Sequence, residues 1–146
     1  MTTPAMDPVE PIYLPTTPIL PHYNYNPPKS PGGRRILKAN TTQIPGHHPL
    51  LCDILLEEEV PICLRDGVVI YADIYRPSTE STEDHESVPA IIAAGPFGKN
   101  GGPNKANFNK WPWRFGCPKL ATSGLEKFEG PDPAYWCLHG YAIVHT

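Results

Sequence analysis

From Cys52 onward the chain alternates short apolar runs with polar or glycine-rich breaks. Leu55 to Leu64 is apolar except for Glu57-Glu58-Glu59, Arg65-Asp66-Gly67 follows, and Val68 to Tyr75 is apolar again but for Asp73. Asp-Gly between two such runs predicts a β-hairpin, with a type I′ turn because that turn needs positive φ at both central positions. In the second run Val68, Ile70, Ala72 and Ile74 fall on one face, and Val69, Tyr71, Asp73 and Tyr75 on the other. That alternation predicts a half-buried antiparallel strand, ended by Arg76-Pro77 because proline brings no ladder donor.

Residues 78–87 are polar and predict a solvated loop. Val88-Pro89-Ala90-Ile91-Ile92-Ala93-Ala94 is almost wholly apolar and short, which fits a strand buried on both faces. Residues 95–130 are glycine-rich and irregular, with Phe108, Trp111, Trp113, Phe115 and Phe128 scattered through them. Asp132 then suits an N-cap, Pro133 the first helical turn and Gly140 the position just past a helix, so a helix of about two turns is predicted between them. Tyr141-Ala142-Ile143-Val144 is a further apolar strand. Two strands separated by a helix should run parallel through a right-handed crossover. A hairpin feeding a parallel pair predicts the α/β class.

Composition sets the other end of the chain apart. The 146 residues suit one domain, and their 20 prolines and 12 glycines are about twice ordinary usage. Eleven of the prolines lie between Pro4 and Pro49, so residues 1–50 are expected to form a disordered, proline-rich extended tail and residues 51–146 the domain. Within the tail Pro15, Pro18 and Pro21 recur at every third position, which puts them on one face of a polyproline II helix. An aromatic groove can dock that geometry, while a plain extended leader needs no partner.

Charge and candidate chemistry narrow the picture further. The formal net charge is -3, and Arg34-Arg35 is the one basic pair, so no nucleic-acid partner is expected. The start of the chain lacks a signal-peptide pattern, and no run reaches the ~18 apolar residues of a membrane span, so a cytoplasmic protein without membrane contact is expected. Cys52, Cys63, Cys117 and Cys137 show no close Cys-x-x-Cys pair and predict buried free thiols. His47-His48 with Cys52 and Asp53 is a poor metal set, because neighbouring histidines in extended chain point opposite ways. Cys137 and His139 are two apart on a helix and do not share a face. Gly98-Lys99-Asn100-Gly101-Gly102 lacks the Gly-Lys-Ser/Thr of a phosphate loop. No cofactor and no metal are expected.

Several segments, in order, resemble the X-Pro dipeptidyl-peptidase and cocaine-esterase family of serine hydrolases. They are Arg65-Asp66-Gly67, then Ala72-Asp73-Ile74-Tyr75-Arg76-Pro77, then Val88-Pro89-Ala90-Ile91-Ile92. Gly95-Pro96-Phe97-Gly98-Lys99 is similar to the family's Pro-Tyr-Gly-Lys loop, and Gly140-Tyr141-Ala142-Ile143-Val144 to the strand before its Asp-x-Arg-Gly. The resemblance covers roughly residues 55–146 and implies an α/β-hydrolase fold with a Ser-Asp-His triad cleaving peptides, esters or acyl compounds. It implies a sheet in which the first, second, fourth and third strands lie side by side, the fifth then pairing with the third.

The same resemblance places the nucleophile elbow after the fifth strand, whereas this sequence stops after the fourth. The expectation is therefore an incomplete α/β-hydrolase fold, inactive alone, with none of the catalytic Ser, Asp and His; Ser123 is expected to be a loop hydroxyl. The tyrosine that can supply an oxyanion donor in the family is replaced by Phe97, which has no hydrogen to donate. Losing one such donor costs ~10²–10³ in rate, so Phe97 and Gly98 are the oxyanion-loop candidates, through a backbone N–H. An alternative is a partner-dependent or regulatory protein using the proline-rich arm or an open sheet edge. With no fifth strand to pair with it, the strand from Val88 to Ala94 is expected to be such an edge, open to self-association or a partner chain.

Overall fold

The computed structural model describes residues 33–78, 87–95, 98–99 and 116–146. Its frame is the hairpin of β2 (Ile54–Cys63) and β3 (Val69–Pro77), paired antiparallel from Ile54↔Pro77 to Cys63↔Val69. The turn differs from the type I′ form. Gly67 N–H donates to Leu64 O at 3.0 Å, Leu64 N–H donates to Val68 O at 2.8 Å, and Gly67 alone in the loop takes positive φ, at 83°. A three-residue loop ending in a left-handed glycine spares Arg65 and Asp66 that strained region.

Farther along, the pairing Glu57↔Ile74 is followed by Val60↔Ala72, so Glu58 and Glu59 together face Asp73. This is a β-bulge, and Glu59 sits in it at φ 56°. The bulge and the layers above the sheet blur the alternation expected for β3. Ala72 is fully buried on one face and Tyr75 is buried on the other, while Val68, Val69 and Tyr71 near the hairpin tip are exposed.

The stretch expected to be tail contributes a strand. β1 (Gly33–Leu37) pairs antiparallel with β2, from Gly33↔Glu58 to Leu37↔Ile54. Arg35 grips both carboxylate oxygens of Glu58, at 2.5 and 3.2 Å. In the following loop Leu50 is fully buried, and its N–H and C=O bond Thr41 and Asn40 at 3.0 and 2.8 Å. Lys38 Nζ and Ala39 N–H both reach the Asp53 carboxylate, at 2.7 and 2.8 Å. The ordered unit thus begins by residue 33 rather than 51; the remainder of the expected tail, with the Pro15-Pro18-Pro21 spacing, lies outside the described residues.

β4 (Ala90–Ala93) and β5 (Ala142–His145) complete a mixed five-stranded sheet in the order β1-β2-β3-β5-β4. β5 runs parallel to β4 and antiparallel to β3. Beyond the added β1, the order β2-β3-β5-β4 is the expected one. β4 is at the edge rather than buried on both faces: Ile91 packs on the core but Ile92 is 66% exposed.

One short helix, α1 (Pro133–Leu138), lies over β3 and β5. Its ends follow from the residues read there. Asp132 caps the N-terminus by accepting from Ala134 N–H at 3.0 Å. At the other end Gly140 takes φ 81°, Gly140 N–H bonds Cys137 O, and Tyr141 N–H bonds Trp136 O, each at 3.0 Å. These two bonds form a Schellman cap, and the Trp136 and Tyr141 rings stack edge to face across it at 5.6 Å. Leu37, Leu50, Ile54, Leu56, Tyr75, Ala134, Cys137 and Ile143 make the core between helix and sheet. All four cysteines are free, but only Cys137 is buried; Cys63 is exposed and Cys52 and Cys117 are half-buried.

Candidate functional site

In α/β sheets ligands bind outside the carboxyl ends of the parallel strands. Here that edge is formed by Ala93 and His145, which are partners in the β4–β5 register. A buried ammonium closes it: Lys127 Nζ donates to Ala93 O at 2.5 Å and to Thr146 O at 3.0 Å. Burial pulls the Lys127 ammonium below its ordinary pKa. His145 lies beneath, with Nε2 3.3 Å from Pro131 O and its ring edge-on to Tyr75 at 5.4 Å. Burial, reinforced by the Lys127 charge, depresses its pKa to about 4, so it is a neutral imidazole donating from Nε2 at neutral pH.

The loop leaving β4 is tied to the hairpin by charge. Lys99 Nζ lies 2.7 Å from Asp73 Oδ1 and 2.7 Å from Glu59 Oε2. Asp73 Oδ1 also accepts the Glu59 N–H at 3.0 Å, so one carboxylate holds both the bulge and the ammonium. The contact to Asp73 is aligned as a hydrogen bond, whereas Glu59 Oε2 makes an ionic contact without that alignment.

A serine, an aspartate and a histidine do come together, but in an arrangement unsuited to nucleophilic attack. Ser123 Oγ donates to Asp132 Oδ1 at 2.5 Å, and Ser123 N–H donates to Asp132 Oδ2 at 2.7 Å. His48 Nε2 stands 3.8 Å from Asp132 Oδ2. An activated serine must hand its proton to the imidazole; here the hydroxyl is bonded to the carboxylate and the residue is fully buried. His47, adjacent to His48, turns to Thr122, with Nδ1 3.2 Å from both Thr122 O and Oγ1. Among the described residues no group of three or more His, Cys, Asp and Glu side chains could hold a metal ion. Cys137 is in the core, its thiol pushed up to about 12 by burial with Cys52 and Asp132 nearby, and His139 instead packs on the Tyr135 ring at 4.7 Å. Cys137 and His139 therefore form no nucleophile–base pair.

The sequence profile of the family described as X-Pro dipeptidyl-peptidase (S15 family) matches residues 66–146, more than half of the chain. The chain belongs to the X-Pro dipeptidyl-peptidase (S15) family. No curated protein and no solved structure matches it.

Within this S15 member the oxyanion-loop candidates are only partly in view. Phe97 lies outside the described residues. Gly98 N–H is directed to Gly95 O at 3.4 Å, closing a turn just after β4. The Lys99–Asp73–Glu59 cluster and the Lys127 cap escaped residue-by-residue reading. Asp73 and Lys99 both stand in the family-like segments, and it is the ion pair in the folded chain that shows they meet. Among the described residues no helix is long and apolar enough to cross a membrane.

Proposed function

We propose that this chain is the amino-terminal part of a serine hydrolase with an α/β-hydrolase fold. Its lineage, shared with X-Pro dipeptidyl-peptidases and cocaine esterase, acts on X-Pro peptides, esters or acyl compounds. The chain contributes the strands under the active site and the loop after β4, where a backbone N–H near Phe97, or that of Gly98 once it leaves Gly95 O, would receive the substrate's carbonyl oxygen. The observation that carries this reading is the strand order β3-β5-β4 over the segment that the S15 profile matches, with β2 paired to β3 just before it. By itself the chain is proposed to be inactive, supported by the unsuited Ser123 geometry. Four unpaired thiols support a reducing, cytoplasmic setting.

The test is fluorophosphonate labelling of the purified chain beside turnover of an X-Pro anilide and an aryl ester. Neither labelling nor turnover is expected. Stoichiometric labelling of one serine would overturn the proposed inactivity. The hydrolase lineage is tested separately in the genomic reading frame, where a continuation encoding Asp-x-Arg-Gly and then Gly-x-Ser-x-Gly is expected. A frame continuing with neither motif would remove the lineage's catalytic reading.

A further inference from the structure

A half-buried charged cluster between the hairpin and the residue after the β4 turn contributes nothing to the hydrophobic core. Lys99 is 10% exposed at its side chain, Asp73 18% and Glu59 19%, and they carry one positive and two negative charges. Desolvating three ions is unfavourable, and apolar residues of similar volume often stabilise a fold as well or better. What the cluster supplies is a fixed separation between two pieces of backbone: the bulge of β2 and the residue that follows the turn after β4.

Two further features support that role. Glu59 holds φ 56° in the bulge, a conformation that persists for a non-glycine residue only where its surroundings enforce it. The Asp73 carboxylate enforces it, accepting the Glu59 N–H at 3.0 Å while it binds the ammonium. The turn beside Lys99 is closed by a long bond, Gly98 N–H to Gly95 O at 3.4 Å.

We infer that Lys99 is a positioning residue: its ammonium, clamped by Asp73 and Glu59, fixes the loop after β4 where its backbone meets the carbonyl oxygen of an acyl substrate. What the loop does rests on the hydrolase reading; the clamp rests on the geometry alone. The two can fail separately.

The experiment compares the wild type with Lys99→Met, which keeps the length and removes the charge, and Lys99→Arg, which keeps the charge. Amide hydrogen exchange of the whole chain is read by NMR. In Lys99→Met, exchange at Gly98 and Lys99 is expected to quicken about tenfold while Leu55 and Tyr75 keep their protection, and Lys99→Arg restores part of it. Glu59→Gln, a milder loss of one charge, serves if Lys99→Met does not fold. The second arm uses the gene product continued through its downstream triad. There Lys99→Met should lower kcat by about tenfold to a hundredfold with KM nearly unchanged, and Lys99→Arg should recover most of it. Unchanged exchange at Gly98, or a loosened loop with full kcat, would overturn the inference. An inactive wild-type product would instead sink the hydrolase reading, leaving the clamp to be decided by exchange.

Discussion

Ser123 donates its hydroxyl to the same carboxylate oxygen of Asp132 that caps the first turn of α1. One side chain thereby anchors the loop before the helix and the helix itself. Ser123 N–H occupies the other oxygen, and Leu125 N–H in turn reaches Ser123 Oγ at 3.2 Å. The buried serine is a structural hydroxyl whose proton is committed to a carboxylate.

Asp132→Ala should therefore cost more than an ordinary cap. Loss of the cap costs about 1 kcal/mol, and stranding the buried Ser123 N–H and hydroxyl raises the total to about 2–4 kcal/mol. Asp132→Asn, which still accepts at one oxygen, should lose about half as much. Urea unfolding with an unchanged m-value is the measurement, and a cost of only a few tenths for Asp132→Ala would show the two roles to be uncoupled.

His145 sets a pH dependence. Its pKa is about 4 in the folded chain because burial and then Lys127 disfavour the imidazolium, against 6.5 for the free group. Between those values the unfolded chain binds the extra proton, so stability is fully present above pH 6.5 and is lost as pH falls toward 4. A shift of that size corresponds to about 3 kcal/mol. His145→Gln should flatten the slope of unfolding free energy in that window. An equally steep slope in the variant would assign the dependence to another group.

Local chemistry made some of this fold legible and left other parts hidden. Asp132, Pro133 and Gly140 announce α1 because caps act within one turn of chain, and the structure uses each as expected. β1 was hidden by averaging: residues 32–44 carry no proline, but they sit in the proline-rich first third of the chain. The burial of Tyr75 was hidden by the bulge at Glu58 and Glu59 and by α1 packing over β3, neither of which alternation reports. Lys99 and Asp73, 26 residues apart, meet although β5 lies between β3 and β4, a tertiary contact that no local pattern reports.

Gly67 offers a test of the hairpin. Its φ of 83° with nothing within 4 Å of an added Cβ makes the cost of substitution purely conformational. Gly67→Ala should destabilise by about 1–2 kcal/mol, and Gly67→Asn by less, because asparagine tolerates the left-handed region. Equal unfolding midpoints for the two variants would point to a rearranged turn.

The last prediction concerns the edge of the sheet. β4 pairs with β5 on one side, and among the described residues no strand pairs with it on the other. Ile92 is 66% exposed, and no charged residue occurs from Val88 to Gly95. The opposite edge is different: β1 carries Arg34 and Arg35, and Arg35 is engaged by Glu58. Charges on an edge strand discourage further pairing, whereas a bare apolar edge with free N–H and C=O groups invites it; Pro89 removes only one donor. We propose that the chain self-associates through β4, most simply as an antiparallel pair of copies about a two-fold axis. Sedimentation velocity across the micromolar range should show a concentration-dependent increase in mass, and Ile92→Lys should abolish it while leaving the far-UV circular dichroism unchanged. Amide protection at Ile92, whose N–H faces the open edge, should rise with concentration in the wild type alone. A wild-type chain that sediments as a monomer throughout, with that amide already protected at high dilution, would mean that the edge is covered from within the same chain.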